Sequence, residues 1–240
     1  QEPDFSAKIC PHFNLTDIDD TAMKKLKETY AKKQQNSSFI SLGTTQVLTD
    51  LNLLTTNGLT YAALILVGQE EALKRLLPNA QVNIEIRQLL NQTHFDKRET
   101  FTKALFLTID EIWNYLNRRN SDNKIDEGPY KFDLPYFNQE VIRESVLNAI
   151  AHRDYSISSE TVIKQFPDRI TITNPGGFPK GVTQENLIRI NSTPRCRLLT
   201  EIMEKTGLVE RSGQGVDKIV RLTLSEGKPI PDYSKTDLFQ

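Results

Sequence analysis

Residues 144–156, ESVLNAIAHRDYS, carry two patterns on one helix. Val146, Leu147 and Ile150 are apolar at helical spacing, the mark of a segment packed on a core. Glu144, Asn148 and His152 recur at steps of four, so one face lines up an acid, an amide and an imidazole. A helix that looks like core yet is chemically equipped along one line needs partners elsewhere in the chain. Those partners decide the fold.

Downstream of the predicted helix at 138–153 come strand-like TVIKQF (161–166) and DRITITN (168–174), with Ile170 and Ile172 inward. A turn-rich NPGGFPKG (174–181) follows, then predicted helices TQENLIRI (183–190) and PRCRLLTEIMEKTG (194–207), the second closed by Gly207 as a C-cap. ERSGQG (210–215) leads into a last helix, VDKIVRLTLSEG (216–227). Upstream, TDIDDTAMKKLKETYAKKQ (16–34) offers Thr16 and Asp17 as caps and runs Ile18, Ala22, Leu26 and Tyr30 down one side, an amphipathic helix. TTQVLTDLNLL (44–54) reads as a short helix, TTNG (55–58) as a turn, and LTYAALILVG (59–68) as a buried element of undecided type. VNIEIRQ (82–88) alternates Val82, Ile84 and Ile86 with polar neighbours, a strand with one wet face. ETFTKALFLTIDEIWNYLNRR (99–119) reads as one long helix through Phe101, Leu105, Ile109, Ile112 and Leu116.

SDNKIDEGPYKFDLPYF (121–137), with two prolines, a glycine and charges between strong helices, marks a boundary. The expected organisation is a helix-rich segment over 1–120, a linker over 121–136 and a second domain over 137–240. The order of elements predicts an α+β fold, with helices covering one face of a mixed, largely antiparallel sheet in a two-layer sandwich.

At 240 residues the chain is long enough to build its core without staples. Its longest apolar run, AALILV at 62–67, is far short of a membrane span. Cys10 and Cys196 stand alone without CxxC spacing, which supports neither zinc nor a disulfide framework and fits a reducing, cytoplasmic setting. A net charge of −1 supplies no global attraction for nucleic acid. The start at Gln1 and the stop at DLFQ read as those of a piece of a longer chain.

Two glycine loops complement the odd helix. RSGQGVDKI (211–219) sets Gly213 and Gly215 just ahead of a helix, where free N–H groups and the dipole favour an anion such as phosphate. NPGGFP supplies Gly176 and Gly177 for a second close approach after a strand. Either loop alone is more simply a tight turn. All three motifs in this order are harder to dismiss.

On RESVLNAIAHRDYS, FPDRITITNPGGFPKGV, GLVERSGQGVDKI and GKPIPDY, the sequence resembles the GHKL-type ATP-binding fold shared by the ATPase component of DNA gyrase, MutL proteins and sensor histidine kinases. Within that group it is most similar to the ATPase-like C-terminal domain of Schlafen/AlbA-type bacterial transcriptional regulators, labelled "ATP-dependent DNA helicase RecG-related". LLTTNGLTYAALILVG (53–68) is typical of the stretch after their AlbA-like module. The resemblance implies that residues 137–240 are a GHKL-like ATP-binding domain and that 1–120 follow an AlbA-like module. It implies Glu144 as the acid that activates water and Asn148 as the Mg²⁺ ligand beside the phosphates. His152 falls where related sequences carry a polar residue near the phosphates, and equally suits a solvent-facing helix end. Asn174, Gly176 and Gly177 match the adenine loop, Gly213 and Gly215 the phosphate loop, and Arg195 in STPRCRLL reaches towards phosphate or lies on the surface.

The sequence departs from the pattern at two points. Asn174 stands where the family carries the Asp of a DxGxG loop, and Phe178 where it carries the second glycine. HRD at 152–154 is not a protein-kinase catalytic loop, because Ser159 occupies the position that loop gives to Asn. The resemblance implies ATP and Mg²⁺ as ligands, DNA reached through segments outside these residues, no membrane, and leaves a homodimer open. Two functions compete: an ATP-binding regulatory module with slow hydrolysis or none, and a nucleotide-free interaction or oligomerisation module. A helicase motor needs a GxxxxGK[ST] loop, and the sequence contains none.

Overall fold

The computed structural model describes residues 3–120, 122–127, 129–178, 181–184, 186, 194–209, 215–234 and 236. Helix α1 (Asp20–Gln34) starts at Asp19, whose side chain accepts from the Ala22 amide at 2.9 Å. The cap is therefore neither Thr16 nor Asp17. Asp17 instead closes the preceding turn, accepting from the Asn14 amide at 3.0 Å. Ala22 and Leu26 are buried as their spacing required, and Tyr30 stacks on Phe39.

Helix α2 (Thr44–Asp50) leads to a short hairpin, β1 (Leu54–Thr55) with β2 (Gly58–Leu59). LTYAALILVG resolves as helix α3 (Tyr61–Val67), capped by Thr60, whose hydroxyl accepts from the Ala63 amide. Every residue from Ala62 to Val67 is buried, so α3 is apolar all round because it is enclosed all round. Helix α4 (Glu70–Leu76) completes this helical part.

The main sheet has the order β4-β3-β7-β8. Strands β3 (Val82–Ile86) and β4 (Lys97–Phe101) form a hairpin, and β7 (Thr161–Gln165) pairs antiparallel with β8 (Ile170–Thr173). Strand β3 runs parallel to β7, with Ile84 opposite Ile163. Parallel neighbours need a long crossover. Here it contains helix α5 (Leu105–Asn117), the hairpin β5 (Asp122–Glu127) with β6 (Tyr130–Pro135), and helix α6 (Gln139–His152). The result is the expected α+β architecture with a mixed, largely antiparallel sheet. Strands from both sides of residues 121–136 share that sheet, and the stretch expected to be a linker folds into β5 and β6. Helix α7 (Arg197–Lys205) and helix α8 (Gly215–Ser225) follow. TQENLIRI falls largely outside the described residues. Among the described residues no helix is long and apolar enough to cross a membrane.

Two strand expectations need correction. Residues 99–101, read as the start of a helix, end β4, because pairing of Phe101 with Val82 outweighs the local helical spacing. The alternate face of β3 is not wet: Asn83 is 0 % exposed, and Glu85 and Arg87 are each 7 %. Neighbouring polar side chains enclose it. Glu85 pairs with Arg87 at 2.9 Å, Arg98 bridges Glu85 and Glu160 at 3.8 and 3.0 Å, and the Thr100 hydroxyl donates to Asn83 at 2.6 Å.

The start of the chain meets α7. Cys196 precedes this helix and makes no side-chain cap. The Leu198 amide donates instead to the Asp4 carboxylate at 2.9 Å, and the Leu199 amide to the Ser6 hydroxyl at 3.1 Å. Between Asp4 and Ser6, Phe5 lies 4.5 Å from Tyr61 and 5.9 Å from Tyr155, centroid to centroid. The other end of α7 closes as expected: Gly207 takes a φ of +73°, and the Leu208 amide donates to the Met203 carbonyl at 2.8 Å. Asp4→Ala should remove one cap acceptor and lower the unfolding free energy by about 0.5–2 kcal/mol. A urea midpoint equal to that of the unaltered protein would show that the Asp4 cap contributes nothing.

Candidate functional site

Helix α6 is placed by Asn138, whose side chain accepts from the Glu140 and Val141 amides at 2.8 and 3.2 Å. Its apolar side carries Ile142, Val146, Leu147 and Ile150 into the core. Glu144 is also buried, at 2 % exposure, while Asn148 and His152 are half-buried. What lies over Glu144 and Asn148 is Gly215, the first residue of α8. A Cβ at that position would stand 2.5 Å from Glu144 Oε1 and 2.9 Å from Asn148 Nδ2. Glycine lets the start of α8 come this near without either side chain having to shift. Lys218, one turn on, pairs with Glu140 at 2.9 Å and holds that carboxyl below its usual range. Gly213 lies outside the described residues.

A second group forms where α6 ends. The Asp154 amide donates to the Pro175 carbonyl at 2.9 Å, which draws the NPGGF loop against the helix terminus. Gly176 adopts a φ of +85°, and a Cβ there would meet Asp154 Cβ at 2.6 Å. Gly177 is buried beside it. Arg195 binds this junction together, donating from Nη1 to the His152 carbonyl at 3.2 Å and the Gly176 carbonyl at 3.4 Å, and from Nη2 to the Phe178 carbonyl at 3.5 Å. Its half-buried guanidinium thus clasps backbone at this junction. Burial, aided by the Arg195 cation, pushes the His152 imidazole down to about 4. Phe178 in turn approaches Tyr233 of GKPIPDY, ring centroids 6.5 Å apart.

Asn174 opens the loop, and its side-chain oxygen accepts from the Thr161 hydroxyl at 2.9 Å. Behind Thr161 stands Arg153, fully buried, donating to the same hydroxyl at 3.1 Å and to the Ser159 carbonyl, with its guanidinium 5.1 Å from the Tyr155 ring centroid. Sequence reasoning passed over Arg153. The available signal was its place inside HRD, directly after an apolar helix, where a cation needs built partners.

The structure therefore groups Glu144 and Asn148 with Gly215, and His152 with Gly176 and Arg195, along two successive turns of α6. A divalent cation would find an amide oxygen on Asn148 and a carboxylate on Glu144. Among the described residues no cluster of three or more His, Cys, Asp or Glu side chains is placed to hold a metal by itself.

Residues 159–240 match the family model HATPase_c_4, described as "Putative ATP-dependent DNA helicase recG C-terminal", and residues 1–83 match a domain of unknown function (DUF8451). The first match takes in Asn174, Gly176, Gly177, Arg195, Gly213 and Gly215, and begins after Glu144, Asn148 and His152. It supports an ATPase-type, nucleotide-binding domain in the C-terminal part of the chain. Among solved structures, the chain is similar to the DIP2311 protein from Corynebacterium diphtheriae, with a TM-score of 0.77 and 22% identity. That alignment covers 95% of this chain and 44% of the other, so the chain spans less than half the length of that relative. At this identity the likeness establishes the fold. No curated protein matches the chain.

The imidazole of His152 gives the site a pH signature. It stays neutral in the folded protein down to about 4, against an ordinary value of 6.5 once unfolded. Between those values the unfolded chain binds more protons, so stability rises with pH across the window and is lost as pH falls from 6.5 towards 4. His152→Gln should flatten that loss. Melting temperatures at pH 7 and pH 5 check this: an equal drop in both proteins would contradict it.

Proposed function

We propose that residues 137–233 form a nucleotide-binding regulatory module, with ATP as the ligand that the matched family's description names. The observation that carries the reading is the seat of Gly215 against Glu144 and Asn148. It sets a helix N-terminus, favourable to anions, beside an acid and an amide one turn apart. In this reading Asn148, Gly213 and Gly215 take the phosphates, with His152 and Arg195 shaping the adjoining wall. Asn174, Gly176 and Gly177 take the base. The donor set suits Mg²⁺, which keeps several waters and needs few protein oxygens, with Asn148 as its ligand. When bound, Mg²⁺ would supply neutralisation of phosphate charge.

Glu144 is the candidate general base. Its burial beneath Gly215 separates it from bulk water, which supports binding with slow turnover or none over rapid hydrolysis. By resemblance, the module belongs to a bacterial transcriptional regulator of the cytoplasm, with DNA contacted through segments outside these residues. A second reading, an interaction or oligomerisation module without nucleotide, is favoured by Phe178 packing on Tyr233 and by the commitment of Arg195 to backbone carbonyls.

Calorimetry with non-hydrolysable ATP and GTP analogues and Mg²⁺ separates the two. Glu144→Gln should bind like the unaltered protein while losing about 10²–10⁴ of any hydrolysis rate. Asn148→Ala should bind more weakly, because it removes a metal ligand. Negligible binding of either analogue by all three proteins would leave the interaction module standing.

A further inference from the structure

Asn174 is the side chain that the nucleotide reading above sets against the base, and its amide is oriented by hydrogen bonds that run one way. Arg153 can only donate, and its Nη1 lies 3.1 Å from Thr161 Oγ1. Thr161 is 0 % exposed, so its single hydroxyl proton must find an acceptor inside the fold. Asn174 stands 2.9 Å away. The atom facing Thr161 is therefore the amide oxygen. With the amide reversed, Thr161 would receive two donors, and its own proton would be buried with nowhere to go. Since the oxygen is held by Thr161, the Nδ2 group is the end of this half-buried side chain that turns away from it.

We propose, resting on the nucleotide reading, that Asn174 offers an N–H donor to the base, so that the site prefers a 6-oxopurine nucleoside triphosphate to ATP. Guanine and hypoxanthine carry a carbonyl oxygen at C6, which accepts from Nδ2. Adenine carries an amino group there and sets donor against donor, leaving both unsatisfied in a half-buried contact. A carboxylate at position 174 would accept from that amino group and reverse the order. Arg153 and Thr161 act as positioning residues: they touch no ligand and set the orientation of the amide.

Inosine triphosphate tests this cleanly, because it differs from ATP only in the oxygen at C6 and the proton on N1. Calorimetric titration of the 240-residue protein with Mg²⁺ and each nucleotide should give inosine triphosphate an affinity about ten- to hundredfold higher. Asn174→Asp should invert the ratio. Thr161→Val, which removes the orienting hydroxyl and keeps a β-branched side chain, should bring the ratio towards one. The comparison in the unaltered protein requires no variant to fold. ATP binding as tightly as inosine triphosphate, or more tightly, would overturn the inference and leave the nucleotide reading intact. An unchanged ratio in Thr161→Val would overturn the orienting role of Thr161. Failure of both nucleotides to bind would overturn the inference and the nucleotide reading together.

Discussion

The parallel pairing of β3 with β7 is the contact on which the rest of the molecule depends. It joins residues 82–86 to 161–165, so the chain that leaves the sheet after β4 must come back to it at β7. The returning arm is α6. Because α6 packs its apolar side on the core, Glu144, Asn148 and His152 follow each other along a line set by the sheet rather than by any loop. The site is thus mounted on a rigid element. Gly176 and Gly215 are the glycines placed close to that element or its end.

Glycine acts twice here, for two physical reasons. At Gly215 the need is space: the start of α8 lies where any side chain would strike Glu144 and Asn148 as they stand. At Gly176 the need is both space and dihedral freedom, since a φ of +85° coincides with the approach of Asp154. Between these points the polar groups are tied to one another. Arg195 gathers three carbonyls, and Arg153 reaches Asn174 through Thr161. A helix end and a loop are in this way held by cations that donate to backbone and hydroxyl oxygens.

Local patterns in the sequence made α6 and its polar line legible, together with α1, α8 and the Gly207 closure of α7. Periodicity and cap chemistry operate over a few residues, and those elements are decided at that range. Most of what escaped was decided at long range. Residues 99–101 have helical spacing to Leu105 and Ile109, yet β3 recruits them as a strand. The hairpin of β5 and β6 is a local pairing across a short turn, and there the prolines and charges of 121–137 hid the strand pattern. No pattern near Arg153 announces Thr161, and none near Asp4 announces Leu198. A hydrogen bond between distant segments leaves no period to read.

The anchoring of α7 by the start of the chain has a consequence for how the molecule can be divided. Family boundaries drawn at residue 159 suggest a detachable unit that evolution could shuffle whole. Cutting there would strip β7 of its partner β3, exposing a bare edge with its row of unmet amides and carbonyls. It would also take from α7 the Asp4 and Ser6 acceptors that begin it. The residues that the family model delimits are therefore tied, in this fold, to β3 and to the Asp4 and Ser6 side chains on the other side of that boundary.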